Sequence, residues 1–333
     1  MMTYEQILSD IRNKVYSPVY LLMGEEPYFI DTISDLIEDT VLEEQYQEFN
    51  KLVVYGRDVD VRMIASQAKS YPMSGNYQVL IVKEAQDVKD IEALESYVMN
   101  PLESTILVIN YKYKKIDKRK SFVKLVEKKG VLFESKKLYD NNIPDWITKY
   151  LGQKNYTITP KACQMMADFL GTDLHKIRNE LEKLVISFPP KTRIDEDIVE
   201  RNIGISKDYN FFELQKAIGN RDVFRANQII NYFGANSKDN SILMVIALLH
   251  AYFVKLLKCH FTADKSKNNL ASVLGLNPFF VTDYQTAIKN YPISKIADNM
   301  SVLREYDLKG KGLGNVSADD GELYKELIYK LIH

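Results

Sequence analysis

The first place to look for a functional site is the loop that follows the apolar run of residues 19–23. In α/β domains, nucleotide phosphates usually bind between a strand and the next helix. A phosphate loop needs the pattern GxxxxGK[ST], in which free backbone amides, a lysine and a hydroxyl surround the phosphates and magnesium. The loop here reads GEEP from Gly24 to Pro27. Its two carboxylates repel phosphate, and its proline lacks an amide donor. The sequence therefore predicts a helix start without a nucleotide site.

The other chemically reactive residues form no recognisable catalytic or metal-binding set. The four histidines have neither the i, i+4 spacing nor the adjacent glutamate of a zinc-binding helix. Cys163 and Cys259 stand alone, no GxSxG pattern occurs, and paired carboxylates such as Glu43 and Glu44 lie in polar surroundings. We therefore expect no catalytic residue, no metal and no cofactor.

A basic segment follows one of the later apolar runs. Residues 111–120 (YKYKKIDKRK) contain six lysine and arginine residues and two tyrosines. Basic residues interleaved with aromatic ones suit the backbone of a nucleic acid or an acidic protein partner. A solvated loop leading into a helix is the alternative. The candidate contact residues are Lys112, Lys114, Lys115, Lys118, Arg119 and Lys120.

A short connector between a predicted helix and a predicted strand carries apolar residues among small polar ones. Residues 69–76 read KSYPMSGN. Because such a connector is expected at the surface, Tyr71, Pro72 and Met73 are candidate anchors for a pocket on a partner protein. Taken alone, the segment is explained more simply as a helix end folded onto the sheet.

The composition limits the class of protein. Of 333 residues, 46% are hydrophobic and 27% are charged, which is typical of a folded chain with two or three domains. The 44 basic and 45 acidic residues give a net charge of -1, so contact with nucleic acid needs a local patch. Two isolated cysteines fit a reducing compartment. The polar N-terminus and the short apolar run 242–249 predict neither a signal peptide nor a membrane span, so we expect a soluble, cytoplasmic protein.

The first 140 residues alternate between strand and helix patterns. The strand-like apolar runs span residues 19–23, 52–55, 79–82, 106–109 and 131–133. Helical spacing of apolar residues occurs at residues 27–41, 63–68, 91–99 and 122–126. Continuous apolar strands alternating with helices are typical of a parallel sheet covered on both faces. The first part of the chain is therefore predicted to be an α/β domain.

The remainder of the chain has a helical pattern. Strand signals stop after Tyr139, and four helical patterns follow at residues 144–151, 160–170, 173–186 and 196–203. From Tyr209 the sequence predicts six or seven more helices, of which the last spans residues 319–332. These patterns predict a small helical domain followed by a larger one.

Several stretches, in order along the chain, resemble the delta subunit of the bacterial clamp loader, a component of DNA polymerase III. They are YLLMGEEPYFID from Tyr20, SYPMSGNYQVLIVKEAQD from Ser70, IRNELEKL from Ile177, GISKDYNFFELQKAIGNRD from Gly204, and the closing DLKGKG and ELYKELIYKLI. The resemblance implies an AAA+-like α/β domain at residues 1–140, a helical lid domain at 141–208 and an all-α collar domain at 209–333. It also implies that neighbouring motor subunits, and not this chain, hydrolyse ATP.

The resemblance further implies that an apolar pair after a helix of the first domain enters a pocket on a sliding clamp. Met73 and Ser74 match that pair, but serine is too small and polar to fill such a pocket. We therefore expect Tyr71 and Met73 to be the anchors, with Pro72 and Ser74 beside them. Methionine suits this role because its flexible side chain fills irregular pockets.

The function implied by the resemblance is to bind the sliding clamp and open its ring for loading onto primed DNA. The implied partners are the clamp, gamma/tau-type motor subunits, a delta-prime-type subunit and, through the complex, primed DNA; no membrane is expected. Two alternatives remain open: a scaffold that binds only other subunits of an AAA+ assembly, and an ATPase with an unorthodox phosphate loop.

Overall fold

The computed structural model describes residues 2–315 and 317–333, and contacts between residues divide the chain into two units. The first unit spans residues 1–138 and the second spans residues 139–333. The proposed boundary at residue 208 lies inside the second unit and stays a prediction.

The first unit is an α/β unit with a five-stranded sheet. Its strands are β1 (Val19–Gly24), β2 (Lys51–Tyr55), β3 (Gln78–Lys83), β4 (Thr105–Lys112) and β5 (Val131–Ser135). Its helices are α1 (Tyr4–Arg12), α2 (Pro27–Thr40), α3 (Glu44–Asn50), α4 (Val61–Ala68), α5 (Glu95–Val98) and α6 (Ser121–Lys129), with single 3₁₀ turns at Ala85–Asp87 and Ile91–Leu94. The strands are all parallel and lie in the order β2-β3-β4-β1-β5.

Helices cover both faces of this sheet because its central strands are apolar on both sides. Leu21 of β1 packs in one core with residues of α4, α5 and α6. Its neighbour Leu22 packs in the opposite core with residues of α1 and α2. Successive side chains of a strand point to opposite faces, so each strand contributes to both cores. The predicted parallel sheet with helices on both faces is confirmed.

Two helices of this unit were not predicted from the sequence. α1 is short, and a capping box between Thr3 and Gln6 fixes its start. α3 reads EQYQEFN and buries only Asn50, so it lacks the apolar stripe by which a helix is recognised.

The second unit is built mainly of helices. They are α7 (Ile143–Gln153), α8 (Pro160–Leu170), α9 (Leu174–Ser187), α10 (Glu196–Ile203), α11 (Phe211–Gly219), α12 (Val223–Ala235), α13 (Ile242–Phe261), α14 (Lys267–Leu274), α15 (Val281–Asn290), α16 (Ile293–Gly310) and α17 (Asp320–Ile332). The prediction that strands stop after Tyr139 was wrong, since β6 (Thr157–Ile158) pairs in parallel with β7 (Arg193–Ile194). Strands of two residues are too short to show an alternating pattern.

Helix α13 is longer than the sequence pattern predicted. The apolar run 242–249 extends to Phe261, and Tyr252, Phe253 and Leu256 continue its buried face beyond the polar His250. The prediction that this segment is too short to cross a membrane was therefore wrong: within residues 2–315 and 317–333, α13 alone has the length and apolar composition of a span. One such helix is weak evidence for a membrane, because the central helix of a bundle has the same properties.

Candidate partner-docking site

The connector between α4 and β3 exposes two large apolar side chains. Tyr71 is 76% exposed and Met73 is 79% exposed, whereas Pro72 between them is partly buried and Ser74 is exposed. Isolated exposed apolar residues are common on protein surfaces, but two of this size on one short connector form a local patch. The side chains of Tyr71 and Met73 are therefore accessible to a partner.

A buried carboxamide holds the middle of this connector. The Met73 backbone N–H donates a hydrogen bond of 2.9 Å to Oδ1 of Asn50, and Nδ2 of Asn50 donates to the carbonyl of Ser74. Asn50 is only 4% exposed, so water competes little for these bonds. The backbone beside Met73 is therefore fixed while its side chain faces solvent.

A second carboxamide holds both ends of the connector. Nε2 of Gln78 donates to the carbonyl of Gln67 at 3.2 Å, to the carbonyl of Ser70, and to Oγ1 of Thr105 at 2.7 Å. The connector is thus attached to the end of α4 and to the central strand β4. Such attachment reduces the conformational entropy lost when a partner binds.

Gly75 lets the connector turn closely over helix α3. Its φ of +76° lies in the left-handed region, and a Cβ at this position would lie 3.2 Å from the ring of Tyr46. Both features favour glycine over any other residue. Helix α3 therefore supports the connector at two points, Tyr46 and Asn50.

Sequence reasoning missed Asn50 and Gln78 as supporting residues. Asn50 ends helix α3 and Gln78 begins strand β3, so neither lies within the connector. Asn50 also lies more than twenty positions before the backbone groups to which it is hydrogen-bonded. No signal in the sequence marks Asn50, because an asparagine at the end of a polar helix stands out only once it is known to be buried.

The basic segment 111–120 is largely paired with carboxylates. Nζ of Lys112 lies 2.8 Å from Oδ1 of Asp31 and 3.0 Å from Oε1 of Glu84, and only 12% of this side chain is exposed. Burial alone would raise the pKa of the Glu84 carboxyl, but hydrogen bonds from Gln86 and Lys112 outweigh it and lower that pKa. Lys112 is therefore a structural ion-pair partner between β4, α2 and the end of β3.

The other basic residues of the segment lie at the surface. Nζ of Lys115 lies 3.2 Å from Oε1 of Glu134, and Lys118 pairs with the second oxygen of the same carboxylate. These hydrogen bonds, that of Lys118 first, hold the pKa of Glu134 below its ordinary value. Arg119 pairs with Asp117 at 2.6 Å and Lys120 with Glu92 at 2.7 Å, whereas Lys114 forms no ion pair with any residue that the structure describes. Much of the positive charge is thus balanced within the chain.

At the position of a phosphate loop, the backbone amides are already hydrogen-bonded to other groups of the chain. The amides of Gly24 and Glu25 donate to the carbonyls of Lys114 and Ser135, at 3.1 and 3.3 Å. The amide of Glu26 donates to Oγ of Ser135 at 3.2 Å. Pro27 then has no amide to offer.

The start of helix α2 is also occupied. The backbone N–H of Tyr28 donates to Oε1 of Glu26 at 3.1 Å, and Glu26 is 5% exposed. A carboxylate at this position satisfies a free helix amide and interacts favourably with the helix dipole, as a phosphate would. Gly24 has φ +138°, and a Cβ there would lie 2.1 Å from the Ser135 carbonyl oxygen, so glycine is needed where the chain passes this close to β5. The amides of Gly24, Glu25, Glu26 and Tyr28 are already bonded within the chain, which disfavours phosphate binding in the manner of a phosphate loop.

Reactive groups elsewhere have environments that suit structural roles. Burial raises the pKa of the Cys163 thiol to about 12, so it is not a thiolate nucleophile at neutral pH. Within the described residues, no three His, Cys, Asp or Glu side chains are grouped to bind a metal. In the second unit, burial raises the pKa of the Asp168 carboxyl to about 7, although a 2.7 Å hydrogen bond from Gln164 and the charge of Lys255 oppose this effect.

Comparisons with known proteins point to one family. Residues 20–136 match the family model described as DNA polymerase III, delta subunit. The chain is 25% identical over 307 residues to DNA polymerase III subunit delta of Bacillus subtilis, an alignment covering 88% of each chain. The solved structure of the Bacillus subtilis DNA clamp loader delta protein (YqeN) covers 99% of both chains with a TM-score of 0.58 and 22% identity. This structural match confirms the predicted fold, a parallel α/β part followed by helical parts.

Proposed function

We propose that this chain is a clamp-loader delta subunit that binds a sliding clamp and favours the open form of the clamp ring, because residues 20–136 match the delta-subunit family and the whole chain resembles a delta protein. The observation that carries this proposal is the connector of residues 69–76, which exposes Tyr71 and Met73 on a hydrogen-bonded backbone. Apolar anchors on a rigid backbone are typical of protein–protein interfaces in which a few residues supply most of the binding free energy.

The proposed mechanism is mechanical. A subunit that binds the open ring more tightly than the closed ring shifts the clamp toward the open form, by as much as the two affinities differ. The first unit makes this contact, and the helical part from residue 209 joins the chain to gamma/tau-type motor subunits and a delta-prime-type subunit. The assembly acts in the cytoplasm on primed DNA.

The chain itself is proposed to catalyse no reaction. The amides of Gly24, Glu25, Glu26 and Tyr28 already have acceptors within the protein, and this disfavours the alternative of an ATPase with an unorthodox phosphate loop. The motor subunits therefore handle ATP. A pure scaffold remains the second alternative, and it differs from our proposal in predicting no affinity for a clamp.

Direct contact of the basic segment with DNA stays a prediction. Lys114 is the best placed of the six candidates, since it is exposed and unpaired within the described residues, whereas Lys112 is largely buried. Any such contact weakens as salt concentration rises, because it depends on phosphate neutralisation.

Tyr71→Ala combined with Met73→Ala tests the proposal. Each truncated anchor should cost about 1 to 4 kcal/mol of binding free energy, as is usual for anchors at the centre of an interface. The measurement is the affinity of the purified chain for the sliding clamp of the same bacterium, by surface plasmon resonance. Circular dichroism checks that the variant is folded.

Ser74→Ala is the control on the same connector. It removes a small exposed hydroxyl and leaves the Ser74 carbonyl bonded to Asn50, so its affinity should equal that of the wild type. Equal affinity of the double variant and the wild type would place the contact on other residues. A wild-type chain with no affinity for the clamp would favour the scaffold.

A further inference from the structure

We infer that a cavity in the second unit is a binding site for a small, largely apolar carboxylate. The cavity has a volume of about 140 Å³ and lies among helices α8, α11, α13 and α15. A cavity of about 150 Å³ holds one benzene molecule, so the ligand should have about six to ten non-hydrogen atoms. The inference does not depend on the proposed function.

The cavity contains an ammonium group that lacks a partner. Lys255 of α13 lines the cavity and is partly buried, and it is the only cation among the described residues that line it. It forms no hydrogen bond and no ion pair with any residue in the ranges 2–315 and 317–333. Charges withdrawn from water are normally paired, because their desolvation is costly. A bound carboxylate supplies the missing partner.

Asp168 of α8 can donate a hydrogen bond to the same carboxylate. Nε2 of Gln164 donates to its Oδ1 at 2.7 Å, while Oδ2 has no hydrogen bond among the residues that the structure describes. Burial raises the pKa of this carboxyl to about 7, so much of it carries a proton at neutral pH. In the protonated form, Asp168 donates to an anionic ligand and does not repel it.

The other titratable groups around Asp168 leave the cavity without a second cation. Burial raises the pKa of the Tyr252 and Tyr284 hydroxyls, so both stay neutral. The Tyr284 hydroxyl also accepts a 3.2 Å hydrogen bond from Nε2 of Gln215 on α11. Asp140, in the turn before α7, is exposed at the rim. The polar end of the cavity is therefore formed by Lys255 and Asp168.

The rest of the wall suits an apolar or aromatic body. Phe212, Leu248 and Phe280 line the cavity, and both phenylalanines are buried. Cavities that bind small molecules typically combine such a wall with a few polar groups that fix the orientation of the ligand. A nucleotide is too large for this volume, and an amine would place a second positive charge beside Lys255.

Benzoate is the test ligand, and its affinity for the full chain is measured by isothermal titration calorimetry at pH 6 and pH 8. Benzoate stays ionised across this range, whereas Asp168 changes from mostly protonated to mostly ionised. Because the protonated form is the competent one, affinity should fall about 10-fold from pH 6 to pH 8. Benzylamine has a similar size and the opposite charge, and it should not bind measurably.

Three variants assign the effect to particular groups. Lys255→Met removes the ammonium and should weaken benzoate binding about 10- to 100-fold. Lys258→Met is the matched control, since Lys258 is an exposed lysine of the same helix and should keep wild-type affinity. Asp168→Asn keeps a hydrogen-bond donor that does not titrate, so its affinity should change much less between pH 6 and pH 8. Circular dichroism checks that each variant is folded.

Each result decides one part of the inference. Benzoate binding that is lost in Lys255→Met and kept in Lys258→Met supports the site. A wild-type chain that does not bind benzoate at pH 6 overturns the inference, and so does equal affinity of Lys255→Met and the wild type. An equal fall with pH in Asp168→Asn and the wild type overturns the role of Asp168 as the donor.

Discussion

Lys112 gives the sharpest test of how this chain uses its basic segment. Lys112→Met keeps the length of the side chain and removes the ammonium that lies 2.8 Å from Asp31 and 3.0 Å from Glu84. Both carboxylates then lose this ammonium as a partner. We expect a less stable first unit and an unchanged association with DNA.

The expected loss of stability follows from the geometry. Two charge-assisted hydrogen bonds disappear, each of which contributes about 1.5 to 3 kcal/mol when well shielded. Asp31 and Glu84 keep 23% and 33% of their side-chain surface in water, so solvent compensates for much of the loss. We therefore expect the free energy of unfolding to fall by about 1 to 3 kcal/mol.

Urea unfolding of the full chain at pH 7 measures this loss. Circular dichroism follows both units, whereas the fluorescence of the single tryptophan, Trp146, follows the second unit. Lys112→Met should move the transition seen by circular dichroism to a lower urea concentration. Lys114→Met is the control, since it removes a neighbouring charge that has no ion pair within the described residues.

The loss of stability in Lys112→Met should depend on pH, because the pKa of Glu84 is perturbed in the folded chain. The folded-state pKa of Glu84 is lowered from 4.5, so the stability that it contributes is present above that value and is lost as the pH falls through the folded pKa. The difference between Lys112→Met and the wild type should therefore be full at pH 7 and shrink below about pH 4.5. Equal unfolding of the Lys112 and Lys114 variants at pH 7 would refute this reasoning. So would a difference that persists undiminished in acid.

Two further predictions concern the connector and the helical unit. Asn50→Asp keeps the acceptor for the Met73 amide but turns a carboxylate oxygen toward the Ser74 carbonyl, so hydrogen exchange at the amides of Met73, Ser74 and Gly75 should become roughly 10-fold faster. Exchange at the wild-type rate would show that Asn50 does not hold the connector. The folded chain keeps a proton on Asp168 between pH 3.8 and about 7 that the unfolded chain has lost, so stability falls as pH rises through this window. As the pH rises from 5 to 8, the free energy of unfolding measured in urea should fall less for Asp168→Asn than for the wild type. An equal fall in both proteins would contradict the raised pKa of Asp168.

The sheet could be predicted because its strands are apolar without interruption. Runs such as VYLLM and VLIV are buried between two layers of helices. A strand with such a continuous apolar run can be recognised from its own residues alone. The short pair β6 and β7 could not be found, because two residues show no pattern. Helix α3 was missed for a related reason, since its polar sequence packs by hydrogen bonds from Asn50 and not by an apolar stripe.

The candidate site was predictable only in part. The exposure of Tyr71 and Met73 follows from their place on a short connector between polar residues. The role of Lys112 did not follow from its sequence neighbours, because its partners Asp31 and Glu84 come from α2 and from the end of β3. Sequence composition counts such a lysine as part of a basic patch, and only the fold shows that its charge is already balanced.

The closed loop from Gly24 to Tyr28 has a consequence for the proposed machine. In a nucleotide-binding motor, the contacts at this place form and break as ATP arrives and leaves. Here Glu26 and Ser135 are permanent parts of the chain, so the corresponding contacts are present at every ATP concentration. Under the proposed function, this loop therefore carries no ATP-dependent change, and the timing of loading would come from other subunits of the assembly.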